Sequence, residues 1–122
     1  MNPPSQALLA QAHEAPIECE EFPADQVVAG APRAGWLPLT TIDGLEVGLW
    51  EMTPGVVIDT EADEVFCILS GSGTVEFLDP PALALPLRAG TLVRLQAGWH
   101  TRWTITQTIR KIAVTPGEDP KK

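Results

Sequence analysis

Glu64 is the residue of this sequence best placed to do chemistry, because it opens a run of five apolar residues. In a strand it shares a face with Phe66 and Ile68, and the opposite face is also apolar. A carboxylate at the start of a strand covered on both sides is either a general acid or base in a site, or a rim residue in water. Glu61 and Asp63 beside it favour the second alternative, a solvated acidic turn.

Tryptophans provide the second group of candidate site residues. Alternation along a strand places Trp99, Thr101 and Trp103 on one inward face, and Trp50 lies on an earlier strand. Indole rings give flat apolar walls with an N–H donor at one edge, which suits a small-molecule cavity. Core packing is the alternative for at least one of them, and Trp36 is assigned to packing.

Histidine is too scarce for a transition-metal site. The chain has only His13 and His100, and the same alternation turns His100 to the outer, polar face. The carboxylates at 61–64 lack the spacing of a known cation loop, although a hard-cation site there stays open as an alternative. We therefore predict no metal and no other cofactor.

The elements that position these residues are predicted to be strands. Twelve prolines and ten glycines leave few runs for a helix, apart from residues 5–13, which form either a short helix or a loose arm. Elsewhere short β-branched and aromatic runs alternate with turn signals, a pattern typical of a sandwich or barrel. The predicted strands are residues 45–52, 56–59, 64–69, 74–78, 91–95, 99–106 and 109–115.

Length and charge restrict the classes of function. The 122 residues suffice for one domain, and a formal net charge of −8 argues against nucleic acid and anionic membranes as partners. We expect no signal peptide and no membrane span, because no apolar stretch is long enough. Cys19 and Cys67 form no C-x-x-C pair. The expected location is the cytoplasm.

Two stretches resemble the paired motifs of the cupin superfamily. The first runs over 55–71 and contains Glu64, and the second runs over 90–103. Metal-dependent cupins carry histidines at places that fall here near Ile58 and Thr60, and on Thr101. The resemblance therefore implies a degenerate metal site. It also implies an all-β fold, the cupin-type double-stranded β-helix or jelly-roll barrel.

Three segments bring the resemblance closer to one group of cupins. They are G-L-W-E-M-T-P-G (48–55), D-E-V-F-C-I-L-S-G (63–71) and A-G-W-H-T-R-W-T-I-T-Q-T-I-R-K (97–111). They look like the small RmlC-like cupins related to the cupin domain of (S)-ureidoglycine aminohydrolase. Such domains carry a lysine in the last strand, matched here by Lys111. Its ammonium lies either in solvent or inside the barrel near Glu64, where it replaces the absent cation.

We expect a cupin barrel over residues 30–115, an arm or edge segment over 1–29 and a flexible tail over 116–122. The predicted function is binding of a small nitrogenous or carbonyl metabolite, with Glu64 and Lys111 as the catalytic pair. The predicted ligand-binding residues are Trp50, Phe66, Trp99, Thr101 and Trp103. A non-catalytic sensory module and a structural dimer are the alternatives. Apart from the ligand, the expected partner is a second copy in a homodimer.

Overall fold

The structure is a computed structural model that describes residues 7–116. It consists of strands joined by short turns, with one 3-10 turn at Ala24–Gln26. Residues 7–13 form no helix, and residues 12–14 form a turn. The strands are β1 Glu20–Glu21, β2 Val27–Ala29, β3 Arg33–Ile42, β4 Leu45–Met52, β5 Gly55–Thr60, β6 Glu64–Asp79, β7 Pro81–Leu87, β8 Leu92–Leu95 and β9 His100–Pro116.

All nine strands belong to one antiparallel sheet that curls into a barrel. Strand β9 is central, because its first half pairs with β5, its second half with β4, and β6 lies along its other edge. Strand β6 also pairs with β7 and β8. The all-β barrel that the sequence predicts is confirmed.

The two long strands replace four shorter predicted ones. The sequence predicts a break at residues 70–73, but β6 continues through these residues with register shifts. Strand β9 likewise joins the predicted strands 99–106 and 109–115. Gly71 has a φ of 89° at this bend, where a Cβ would meet the backbone of β9. A left-handed residue in such close contact favours glycine. Bent strands of this kind let one sheet close on itself.

The apolar core fills the inside of the barrel. Its members come from the inward faces of the long strands and their neighbours, in the alternation expected of half-buried strands. Residues 20–29, part of the predicted arm or edge segment, supply β1 and β2, which pair with β3 and β5. Of the predicted tail, residues 117–122 lie outside the described part. The fully buried core residues include Met52, Phe66, Ile68, Val75, Leu95 and Ile109.

Within residues 7–116, the structure contains no helix with the length and apolar character needed to cross a bilayer.

Candidate functional site

Lys111 points into the barrel. It pairs with Trp50 of β4 on one side and Ile68 of β6 on the other, and both neighbours face the core. Only 5% of the residue is exposed. The sequence left Lys111 with an outer and an inner alternative, and the structure has the inner one. A buried ammonium is unstable unless a charge or hydrogen bond compensates for its lost hydration.

Glu64 provides that compensation. Its Oε2 accepts a hydrogen bond of 2.6 Å from Lys111 Nζ, and the two side chains are 17% and 6% exposed. A short charge-assisted bond away from water is stronger than the same pair on a surface. Glu64 is therefore a residue of the barrel interior rather than part of a solvated turn.

Three aromatic rings surround the same ammonium. Lys111 Nζ lies 4.3 Å from the ring centroid of Phe66, 4.5 Å from that of Trp50 and 4.8 Å from that of Trp103. Trp103 packs against the other two rings with centroids 5.6 Å apart in each pair. Ring faces carry partial negative charge and attract a cation within about 6 Å. Together with Glu64, they hold the ammonium in a fixed place.

Glu61 is a second buried carboxylate, on the short connection between β5 and β6. Its Oε2 accepts hydrogen bonds from Thr101 Oγ1 at 2.6 Å and from Trp103 Nε1 at 2.9 Å. Glu61 is 8% exposed and Thr101 is fully buried. The alternative of a solvated turn is therefore wrong for this residue, because two donors on β9 replace its water.

Asp59 is the third carboxylate. It pairs with Thr101 across the β5–β9 ladder, so it faces the barrel interior. Burial raises the pKa of Asp59 to about 6, and the negative charge of Glu61 adds to the effect. Its Oδ1 also lies 3.4 Å from Gln26 Nε2. Asp59 is thus able to gain or lose a proton near neutral pH.

These groups meet around a cavity of about 120 Å³. Its lining combines three carboxylates and one ammonium with aromatic and aliphatic side chains. Such a mixture of apolar walls with a few convergent polar groups is typical of small-molecule sites. The cavity is lined by Phe22, Trp36, Trp50, Val57, Asp59, Glu61, Glu64, Trp103 and Lys111.

The donor set does not fit the metal that the superfamily commonly holds. Within residues 7–116, no group of three or more His, Cys, Asp or Glu side chains is arranged to hold a metal ion. Glu64 is engaged by the Lys111 ammonium, and Glu61 is engaged by Thr101 and Trp103. A hard cation needs several free oxygens at about 2.0–2.6 Å, so this arrangement is unsuitable for Mg²⁺ or Ca²⁺ as well.

Four of the predicted site residues line the cavity, namely Glu64, Lys111, Trp50 and Trp103, whereas Phe66, Thr101 and Trp99 do not. Trp50, Phe66 and Trp103 surround Lys111, and Thr101 binds Glu61. Trp99 packs edge-on against Phe77, with centroids 5.8 Å apart, and lines a separate apolar hollow. Trp99 thus packs against the core on the inward side, as alternation predicts, but it does not line the cavity around Lys111.

Asp59 and Trp36 line the cavity although the sequence did not predict either as a site residue. The resemblance to metal-dependent cupins places the positions of the first-motif histidines near Ile58 and Thr60. Both of these residues are exposed, and the residue between them that faces inward is Asp59. Alternation gave no signal here, because Val56, Val57 and Ile58 are all apolar. The inward face of β5 is set by its pairing with β9, where Val57 lies opposite buried Trp103.

The other polar candidates lie outside the cavity. Asp63 accepts hydrogen bonds from the Ala97 N–H and from Arg94, both at 3.1 Å, and these bonds lower the pKa of Asp63. His100 is exposed, as predicted, with its Nδ1 3.1 Å from Thr60 Oγ1. The acidic run at 61–64 thus has three different environments.

Solved structures with the same fold are numerous, although their sequences are distant. The EutQ protein of Clostridium difficile superposes with a TM-score of 0.62 at 19% identity, covering 82% of each chain. A Pseudomonas syringae protein of unknown function, from the DUF861 family, gives 0.68 at 19% identity, covering 82% of this chain and 44% of its own. Ectoine synthase from P. lautus gives 0.59 at 14% identity, covering 80% and 70%.

These likenesses confirm the cupin β-barrel fold. Among curated proteins, none matches the chain in sequence. The family comparison is more specific, since residues 41–113, more than half of the chain, match the EutQ-like cupin domain. That range includes β4 to β9 up to Ala113 and therefore contains all three interior carboxylates and Lys111. The chain belongs to the EutQ-like cupin domain family.

Proposed function

We propose that this protein binds a small, polar, nitrogenous or carbonyl metabolite in a cupin cavity where a lysine ammonium takes the place of a metal. One observation carries the proposal: Lys111 and Glu64 form a buried ion pair inside an aromatic cage, on the wall of a cavity. A packed structural barrel has no need of three carboxylates and an ammonium around a hollow, because burying them unpaired is unfavourable.

The groups on the cavity wall support acid–base chemistry on such a ligand. Lys111 donates one hydrogen bond to Glu64, and the ammonium has two further N–H groups that can polarise a carbonyl. Asp59, with its pKa at about 6, is suited to moving a proton near neutral pH. We propose Lys111 and Glu64 as the catalytic pair, with Asp59 as the group that exchanges protons with the ligand.

Two relatives carry names that refer to small metabolites. One is ectoine synthase, and another is a putative ethanolamine utilization protein from Salmonella typhimurium. The sequence resemblance to the ureidoglycine aminohydrolase group also concerns a small nitrogenous compound. These names support a small-metabolite ligand. They favour no particular reaction for this chain.

The proposal is tested by asking what occupies the cavity. Protein purified under mild conditions is analysed by native mass spectrometry, and a panel of small amines, ureas, amides and carboxylic acids is screened by thermal shift. We expect at least one compound to stabilise the wild type and to lose its effect in Lys111→Met. Arg94→Met, which removes a surface ion pair, is the matched control. A panel without a single Lys111-dependent binder contradicts the proposal.

Metal content is a separate test of the same site. We expect elemental analysis after purification without chelator to find no stoichiometric Zn, Mn, Fe or Ni, because the carboxylates are engaged by Lys111, Thr101 and Trp103. About one equivalent of a transition metal per chain, lost in Glu64→Ala, would overturn the metal-free site.

We also propose that the chain pairs with a second copy through the outer face of β6, β8 and β9. Val65 and Leu92 are 45% and 72% exposed there, and they lie beside Cys67, Ile112 and Val114 in the ladder. Arg94, opposite Val65, also lies on this face and pairs with Asp63. A largely apolar face on a chain of net charge −8 suits self-association, since acidic faces of two copies would repel.

Light scattering at micromolar concentration tests the pairing. We expect a dimer mass for the wild type and a monomer mass for Leu92→Glu, with Leu83→Glu as the control. Leu83 is 90% exposed on β7, away from this face. A monomeric wild type would overturn the dimer and leave the ligand site unaffected.

A further inference from the structure

The cavity continues past the barrel mouth, and Trp36 is the residue that connects its parts. Trp36 lines the interior cavity and also two surface hollows of about 240 Å³ and 550 Å³. It pairs with Trp50 across β3 and β4, and it is 37% exposed. Its indole contacts β4 at Gly48, where any Cβ would overlap the ring. Trp36 therefore forms a wall that reaches from the interior to the surface.

Size indicates that a ligand uses this path. The interior cavity of about 120 Å³ is smaller than most ligand sites, which have about 300–1,000 Å³. The neighbouring hollow has about 240 Å³, and it shares the lining residues Phe22, Trp36 and Trp50 with the interior cavity. A ligand with its polar head in the barrel thus has its body between these rings.

Charge indicates the class of ligand. Inside, three carboxylates against one ammonium leave two formal negative charges when all are ionised. Outside, the lining of the two hollows includes Glu18, Glu20 and Glu21, and among the described residues that line them there is no lysine or arginine. Glu21 is partly neutralised by Arg33, 3.9 Å away. Glu18 and Glu20 attract a cation that approaches past Trp36, whereas they repel an anion.

The aromatic walls favour the same class. Phe22, Trp36 and Trp50 present ring faces or edges at the mouth, and ring faces attract cations and stack on flat groups. Lys111 itself demonstrates the principle, since its ammonium lies within 4.8 Å of three ring centroids. Lys111 already occupies that cage and engages Glu64, and Glu61 is engaged by Thr101 and Trp103. Asp59 is therefore the carboxylate that can bind a second cation.

We propose, as a refinement that rests on the function above, that the ligand is an organic cation, an amine or amidine on a flat apolar body. Its nitrogen head binds at Asp59, and its body lies against Trp36 at the mouth. Trp36 is then a specificity-determining residue. A cation beside Asp59 would offset the burial and the Glu61 charge that raise the pKa of this carboxyl.

Three probes of one shape test the charge class: benzamidine, benzamide and benzoate, titrated by calorimetry at pH 7.5. We expect benzamidine to bind at least about ten-fold more tightly than benzamide, because hydrogen bonds to charged groups are stronger than neutral ones. Benzoate should bind most weakly. Asp59→Asn should remove the preference for benzamidine, and Asp63→Asn, with its carboxylate outside the cavity, should keep it.

Substitutions at two tryptophans test the path. Trp36→Leu should weaken benzamidine by about ten-fold through the lost stacking, Trp36→Phe should restore most of the affinity, and Trp99→Leu should leave it unchanged, because Trp99 lines a different hollow. Circular dichroism verifies that each variant is folded.

Equal or tighter binding of benzamide or benzoate overturns the cation class. Affinities unchanged in Trp36→Leu overturn the path, and failure of all three probes to bind overturns the refinement as a whole. In each case a Lys111-dependent binder of another class in the metabolite panel would leave the proposed function standing. Absence of any such binder would overturn both.

Discussion

Arg110 and Lys111 are adjacent on β9, yet they face opposite sides of the barrel wall and have different roles. Arg110 lies on the outer face, where its Nε and Nη2 donate to Glu51 Oε1 at 3.2 and 2.8 Å. Its Nη1 donates to the carbonyl of Ala12 at 3.0 Å. Lys111 lies on the inner face and donates one hydrogen bond, to Glu64.

The two cations differ in how much of their binding capacity they use. The three guanidinium nitrogens of Arg110 all have partners, and the bond to Ala12 fastens the N-terminal segment to the barrel. Lys111 has three ring faces and one carboxylate around an ammonium that borders a cavity. A planar fork suits a fixed structural connection, whereas a compact ammonium suits a site that ligands enter. A buried ion pair thus indicates function only where it borders a hollow.

The largest effect is expected from Lys111→Met. It leaves the Glu64 carboxylate buried without its cation, a change that typically costs about 3–5 kcal/mol in the free energy of unfolding. Urea unfolding measures it. Arg94→Met, which breaks the half-exposed pair with Asp63, should cost about 0–1 kcal/mol. Equal losses of unfolding free energy in the two variants would show that the interior ion pair stabilises the fold no more than the surface pair does.

Arg110→Met should cost less, about 2–3 kcal/mol, because Glu51 is 21% exposed and water can replace part of the lost bonds. The distinctive result is local: hydrogen exchange should become faster in residues 12–19 of this variant and stay slow there in Lys111→Met. Faster exchange of that segment in both variants would contradict the assignment of separate roles.

A smaller effect is expected from pH, through Asp59. Its pKa is about 6 in the folded state against an ordinary 3.8, so between these values the unfolded chain loses its proton first. The contribution of Asp59 to stability is therefore lost as pH rises from about 4 to 6. Asp59→Asn should be increasingly stabilising, relative to wild type, across that range and constant above it. A difference independent of pH would show that Asp59 is not buried as described.

Asp63→Asn should show the opposite dependence of stability on pH. The Ala97 N–H and Arg94 lower the pKa of Asp63, so its stabilising effect is present above pH 3.8 and is lost as pH falls below that value. The variant should be less stable than wild type at pH 7, with a difference that shrinks in acid. Denaturant unfolding over a pH series gives both curves.

Much of the fold follows from the sequence, and the missing strands have physical explanations. The strand predicted at 45–52 is β4 with the same bounds. Strand β3 was missed because Pro38 interrupts it, at a place where the register with β4 shifts. Strand β7, P-A-L-A-L-P-L, was missed because prolines are rare in strands, but it pairs only with β6 and is an edge strand.

The site was predictable where alternation holds within one strand. Alternation along their strands places Glu64, Phe66 and Trp103 on inward faces, as observed. Lys111 lies on the same face of β9 as buried Ile109, two residues earlier. Glu61 lies between strands, where no alternation applies, so only the fold brings it under Thr101. The pairing of β5 with β9, which turns Asp59 inward, depends on a contact across about 40 positions of sequence that no local pattern encodes.

The most direct test of the interior pair is a double-mutant cycle with Lys111→Met, Glu64→Gln and both changes together, measured by urea unfolding. The double variant buries no uncompensated charge, so we expect it to lose at least about 2 kcal/mol less than the sum of the single losses. Additive losses, within about 0.5 kcal/mol, would contradict the account, since they would mean that Lys111 and Glu64 do not interact inside the barrel.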